Sequence, residues 1–313
     1  MNRFSAPRSI DEYLKQLRSA LEGEDPALIQ DALYDAEEYL RAEVAAHPQK
    51  SEADVLELIS STYGAPEEVA AAYRDTEVRM KAALRTPTAS HAENPGGVRR
   101  FFGIFLDPRA YTSLFYMLLA LATGILYFVL VVVGMSLSAG LAVLIIGVPF
   151  FLAFIGITRV ISLGEGRLIE AITGERMPRR PVHPGPAAGW WERIGAMLGD
   201  ARTWTTLLYF VLMLPLGIIY FVIAALGLSA GVHLSLAPVV VFGEAFGWIP
   251  NDPMGVPFAL GPHWIRLSAG SWVASLFMLA AGVIVLTLLM HLARGIGRAH
   301  ARLAKALLVE PGG

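Results

Sequence analysis

Four side chains in one segment have the chemistry to bind or react. His233, Glu244, Asp252 and His263 fall between the third and fourth apolar stretches, about 230–266. Imidazole nitrogens and carboxylate oxygens are metal donors and general acids and bases. Their spacings of 11, 8 and 11 residues fit no ligand motif, so they read only as a candidate external ligand region. The chain has no cysteine, which excludes disulfides, thiolate zinc sites and cysteine nucleophiles. No Gly-x4-Gly-Lys phosphate loop is present. No catalytic residue, metal or cofactor is therefore expected.

The elements that would position these groups are apolar and occur twice. The 30 residues from Asp107 match the 30 from Asp200 at 14 positions without a gap. Arg109 pairs with Arg202, Tyr127 with Tyr220, and Tyr111 with Trp204. Each copy holds an uncharged run long enough to cross a bilayer, which takes about 20 residues. The spacing predicts spanning helices at about 112–133, 137–163, 205–228 and 267–292. Breaks are expected at Gly134–Ser136, and kinks at Pro149 and Pro215. A second match, Gly164-Glu-Gly166-Arg167 with Gly295-Ile-Gly297-Arg298, comes at a wider offset, which places the extra residues in the external insertion. That insertion is apolar but interrupted by prolines, and reads as interfacial or re-entrant. Arg100, Trp190, Trp191 and Arg193 precede the two copies as interfacial anchors.

Charge divides the chain. Residues 1–96 carry 18 acidic and 10 basic side chains, and residues 97–313 carry 9 and 15. The arginines of the second part cluster at one end of the apolar stretches. By the positive-inside rule both termini and the 164–200 linker are cytoplasmic and about 230–266 is external. The two repeats then run parallel, 97–178 and 179–313. Neither part shows the basic, aromatic-interleaved face of a nucleic-acid binder. No set of polar groups at mid-membrane marks an ion pathway.

Residues 1–85 read as a small acidic helical bundle, with 86–96 as a Pro- and Ser-containing linker. Ser9 with Glu12, and Ser51 with Asp54, are N-cap pairs. Pro26 and Pro66 open further helices. The fold class is thus all-α: a polytopic membrane protein with a cytoplasmic bundle and four spanning helices in two two-helix repeats.

Two resemblances follow. Tyr13-Leu14-x-x-Leu17, Asp35-Ala-Glu37-Glu38, Ser51-Glu52 and Tyr63-Gly64-Ala65-Pro66-Glu67-Glu68-Val69-Ala70 resemble the HAAS signalling domain of bacterial regulators. Arg202-Thr-Trp204, Leu207-Leu208-Tyr209, Pro215-Leu-Gly217-x-x-Tyr220-Phe221 and Gly295-x-Gly297-Arg298 resemble the membrane sensor domain of actinobacterial-type histidine kinases. Together they imply a sensor in a bacterial inner membrane, with a regulator, kinase or transporter as partner. Membrane lipids and a second copy of the chain are further expected partners. No phosphoacceptor His box or ATP lid is present, so output through a separate protein is expected. A transporter or permease subunit for a lipid or other hydrophobic substrate is the alternative.

Overall fold

Four helices are long and apolar enough to cross a membrane: Pro108–Leu141, Gly147–Thr173, Ala201–Ala245 (with one turn inside it) and Trp272–Leu308. Their most apolar windows have mean hydropathy of 1.7 to 2.6 and are only 28% to 39% buried within the protein. Ile125, Leu126, Val129, Ile219, Val222 and Phe277 point outward. Such an apolar exterior suits hydrocarbon rather than water. The chain is a multi-pass membrane protein. The computed structural model describes residues 6–84, 97–142, 146–178, 180, 195, 197–248, 256–260, 263–267 and 272–309, with 80–84, 256–260 and 263–267 by secondary structure alone.

In order, the helices are α1 (Ile10–Ala20), α2 (Pro26–Ala46), α3 (Glu52–Thr62), α4 (Pro66–Leu84), α5 (Gly97–Phe102), α6 (Pro108–Leu141), α7 (Gly147–Thr173), α8 (Ala201–Ser235), α9 (Ala237–Ala245) and α10 (Trp272–Leu308). A short 3-10 turn, Gly103–Leu106, joins α5 to α6, and strands β1 (Val256–Leu260) and β2 (His263–Leu267) lie between α9 and α10. The chain divides into two compact units. One comprises Met1–Glu93, Gly134–Tyr209 and Ala301–Gly313, the other Asn94–Val133 and Phe210–His300.

In the first unit, α1 to α4 form the acidic headpiece. Ser9 caps α1 by accepting the Glu12 N–H at 3.2 Å. Ser51 and Asp54 form a reciprocal capping box on α3. Each cap satisfies amides that would otherwise lack acceptors. Tyr13, Leu17, Leu28, Ala32, Leu40 and Leu56 are buried at the centre of the bundle. Gly64 takes φ +105°, a left-handed backbone that a side chain would strain, and so turns the chain from α3 into α4. Its carbonyl accepts the buried Tyr13 hydroxyl at 2.9 Å.

The expected break at Gly134–Ser136 is absent: α6 runs on to Leu141. Gly134 instead lets the Phe154 ring of α7 lie against the α6 backbone, where a Cβ would collide. The second spanning helix consequently begins at Gly147, so Pro149 falls in its first turn. There its missing N–H leaves no helical bond unmade, and the reason to expect a kink disappears. Gly164-Glu165-Gly166-Arg167 then lies inside α7 rather than after it.

In the second unit, α6 and α8 approach through paired glycines. A side chain on Gly124 would collide with the Met213 carbonyl, and one on Gly217 with the Ala120 carbonyl. Close backbone approach of this kind is how apolar helices gain contact in lipid, where greasy surface alone gives no driving force. Tyr127 stacks on Phe210 beside this crossing, with centroids 4.6 Å apart. Within α8, Pro215 is accommodated and the helix continues to Ser235. The insertion between α8 and α10 is part helix and part antiparallel hairpin, with Leu260 opposite His263.

Candidate functional site: the charged junction between headpiece and membrane helices

α7 ends where Gly174 adopts φ +75° and donates its N–H to Glu170 O at 2.8 Å. This left-handed cap sends the following residues back against α2 and α4. Arg176 enters the headpiece there, with its side chain only 11% exposed. It bridges Asp31 of α2, at 3.1 Å, and Glu77 of α4, each 7% exposed. Four residues later, the Arg180 N–H donates to the other Asp31 oxygen at 3.0 Å, and its guanidinium pairs with Asp35 at 2.9 Å. The same guanidinium lies over the Tyr34 ring, 5.6 Å from its centroid.

Two more contacts tie the headpiece to the ends of spanning helices. Gln30 donates to the Arg180 carbonyl at 2.6 Å and accepts from Arg202, in the first turn of α8, at 3.1 Å. Lys305, near the end of α10, pairs with Asp25 at 2.6 Å. So the acidic excess of the first 96 residues has a local meaning: four headpiece carboxylates, Asp25, Asp31, Asp35 and Glu77, meet the cations that flank α7 and α10, and the amide of Gln30 meets that of α8. A cavity of about 220 Å³ lies among Leu28, Asp31, Asp35, Glu77, Arg176 and Arg180.

The junction also conditions Tyr73, whose hydroxyl donates to Asp35 at 3.0 Å. Burial pushes its phenol above the ordinary tyrosine range, and the Asp35 charge adds to the shift. Tyr13 is raised too, by burial first and then by Tyr63, Glu67 and Glu68. Buried ion pairs add little net stability, because desolvation offsets attraction. Removing one partner is costly, however, so such pairs fix geometry. This junction can hold the headpiece in one register and yield when its charges are competed away.

At the level of the membrane helices the two long segments use matching residues alike. Asp107 and Asp200 each accept an N–H two residues on, from Arg109 and Arg202, both at 3.0 Å. Tyr111 and Trp204 each donate to a carbonyl six residues back, at 3.0 and 2.8 Å. Asp107 pairs with Arg294 at 2.6 Å, and Asp200 with Arg159 at 3.1 Å. Tyr116 lies 2.6 Å from His300 Nε2, and Tyr209 donates to Glu165 at 3.0 Å. Tyr220 approaches His300 Nδ1 at 3.4 Å.

A model of the family described as "Putative sensor" matches residues 116–308. The chain belongs to the Sensor family. No curated protein and no solved structure matches it. The Sensor match begins after the headpiece, inside α6, and takes in the other three spanning helices whole.

The residues singled out in the sequence of this Sensor-family chain are dispersed. Tyr127 and Tyr220 are buried among the spanning helices, Trp204 is half-exposed, and Arg109 is exposed. Arg202 alone of the repeat signature reaches the headpiece. Arg100 is exposed on α5, while Trp190, Trp191 and Arg193 lie outside the described residues. Of the candidate external ligand region, His233 is near the end of α8 and Glu244 is buried on α9 with no hydrogen-bond partner for either oxygen among the described residues. His263 opens β2, its side chain outside the described residues, as is Asp252. Among the described residues no three His, Cys, Asp or Glu side chains could share a metal ion.

Sequence reasoning counted Arg176 only among the arginines at one end of the apolar stretches, and gave no role to Asp31, Glu165 and His300. The last two are buried, at 1% and 2% exposed. The available signal was the pair of repeat tyrosines, Tyr116 and Tyr209. A hydroxyl at matching depth in two apolar helices needs a partner.

Proposed function

We propose that this protein is a non-catalytic membrane sensor that relays an envelope signal through its headpiece to a separate protein. The observation that carries the reading is the buried Arg176 bridge between Asp31 and Glu77. It makes the segment leaving α7 part of the headpiece, so a shift in the spanning helices changes how α2 and α4 are held. Sensor-family membership supports the input role. The matched hydrogen bonds at Asp107 and Asp200 support reading the membrane part as a duplication with its arginine-rich ends in the cytoplasm. The HAAS-like sequence of the headpiece supports a signalling output.

Absence of cysteine makes the test clean. Cysteines placed at Gln30 and Arg202, whose side-chain tips meet at 3.1 Å, would be joined by a short bifunctional thiol cross-linker to lock one headpiece contact without other labelling. Photo-cross-linking from exposed headpiece positions is then compared in membranes of cells carrying the free chain, the locked chain and Arg176→Ala. One partner protein is expected with the free chain, with altered yield in the other two. Identical yields from all three would sink the relay.

A further inference from the structure

A second charged cavity lies beside the junction, where α7 and α8 leave their apolar stretches. From Gly147 to Thr158 α7 carries no charge, and Arg159 is its first. Along α8, Arg202 is the last charged group before a long uncharged run. Both guanidiniums therefore mark a membrane boundary, the depth of lipid phosphates. Between them is a cavity of about 20 Å³, also lined by Thr158, Asp200, Thr203 and Thr206. That is room for about one water-sized atom. Its charged groups are two cations and one carboxylate. Arg159 donates to Asp200 at 3.1 Å and lies 3.5 Å from the Thr203 hydroxyl.

Thr206 supplies the independent sign of a ligand. It is 5% exposed, lines the cavity, and its hydroxyl has no hydrogen-bond partner among the described residues. A hydroxyl that lines a cavity and makes no bond of its own can donate to an acceptor oxygen placed there.

We propose that this cavity binds the phosphate group of an anionic ligand, one phosphate oxygen taking the Thr206 and Thr203 hydroxyls while Arg159 and Arg202 hold the others. Arg159 is about one-third exposed (32%), so it can swing to a phosphate at the mouth. Asp200 loses its cation partner in that exchange but keeps the Arg202 N–H as a donor. Resting on the sensor reading above, the site also reaches the headpiece: Arg202 turning to phosphate gives up its bond to Gln30. A phosphate ester in the lipid or in solution would thus loosen α2.

The full-length protein is placed in phosphatidylcholine nanodiscs with or without phosphatidic acid, and retained lipid is read by native mass spectrometry. Parallel samples receive inorganic phosphate. Phosphatidic acid is expected to be retained over phosphatidylcholine. Arg159→Gln should lower that retention roughly tenfold, the effect of one charge-assisted bond. Thr206→Val keeps the side-chain shape and should lower it too, which guards against misfolding of the arginine variant. Arg298→Gln, an exposed cation elsewhere, should not. Displacement by inorganic phosphate would identify a soluble phosphate as the ligand; persistence would identify the lipid. Retention indifferent to head-group charge, or unchanged in both variants, overturns the site. Phosphate binding without a change in α2 hydrogen exchange leaves the site standing and defeats its link to the headpiece.

Discussion

Arg176→Ala should detach the headpiece without unfolding it. The substitution leaves the Asp31 and Glu77 carboxylates, each 7% exposed, without the guanidinium between them. Breaking a buried pair by removing one partner costs about 3–5 kcal/mol. That cost falls on the docked state alone, because released α2 and α4 can hydrate both carboxylates. The core around Tyr13, Leu17 and Leu28 does not involve Arg176 and should persist. A penalty of about 3 kcal/mol is roughly a hundredfold in the open population. Hydrogen exchange of α2 and α4 amides facing the junction, in the full-length protein in nanodiscs, should quicken by about that factor. Arg79→Ala is the control: its pair with Asp75 is 79% and 59% exposed, and exposed pairs contribute about 0–1 kcal/mol. Adding Asp31→Asn and Glu77→Gln to Arg176→Ala should recover much of the protection, since the stranded charges are gone. Equal effects from Arg79→Ala and Arg176→Ala, or no recovery in the triple variant, would refute the argument that buried charge fixes the headpiece.

Other outcomes follow from single contacts. Gly217→Leu forces a side chain onto the Ala120 carbonyl, so the α6–α8 crossing should weaken by about 1–3 kcal/mol or more; unchanged thermal stability in detergent would contradict the crossing. Tyr209→Phe removes one hydrogen bond from the buried Glu165 carboxylate at a cost of about 1–3 kcal/mol, and Glu165→Gln alongside it should recover part of the lost melting temperature. Tyr13 and Tyr73 are raised above the ordinary tyrosine value of about 10. The folded headpiece therefore binds more protons than the unfolded chain above that pH, and the stability these phenols contribute is present below it and falls as pH rises. Thermal melts of the helical signal should drop above about pH 10, with tyrosinate absorbance appearing only as the headpiece unfolds; early, ordinary titration of all tyrosines would contradict the burial.

Much of this architecture is readable in the residues because its causes are local. Capping pairs at Ser9 and Ser51 and prolines at Pro26 and Pro66 set helix starts wherever they fall. Uncharged runs of spanning length have few alternatives to crossing a bilayer. The ends of the spanning helices were less legible. Gly134 has the composition of a turn, but its role depends on Phe154, which arrives from another helix. The junction was less legible still. Asp31, Asp35 and Glu77 look like any solvated face of an acidic helix until Arg176 and Arg180 are brought to them by the left-handed turn at Gly174. Net charge of opposite sign in the two halves was the visible trace of that docking, and it named no residue.

The segments from Asp107 and from Asp200 match in sequence and in part of their bonding. Asp107 and Asp200 do the same capping, and Tyr116 and Tyr209 bury the same hydroxyl. Their partners differ. The first tyrosine meets His300, the second Glu165; the first aspartate pairs with Arg294, the second with Arg159. The shared residues cap and bury alike, and the unshared contacts set the two segments apart. Of the arginines that follow the two capping aspartates, Arg202 bonds Gln30 of the headpiece. Arg109 remains exposed. If the residues shared by the two segments alone carried the signal, Arg109→Gln and Arg202→Gln would disturb α2 exchange equally. The geometry requires that only Arg202→Gln does.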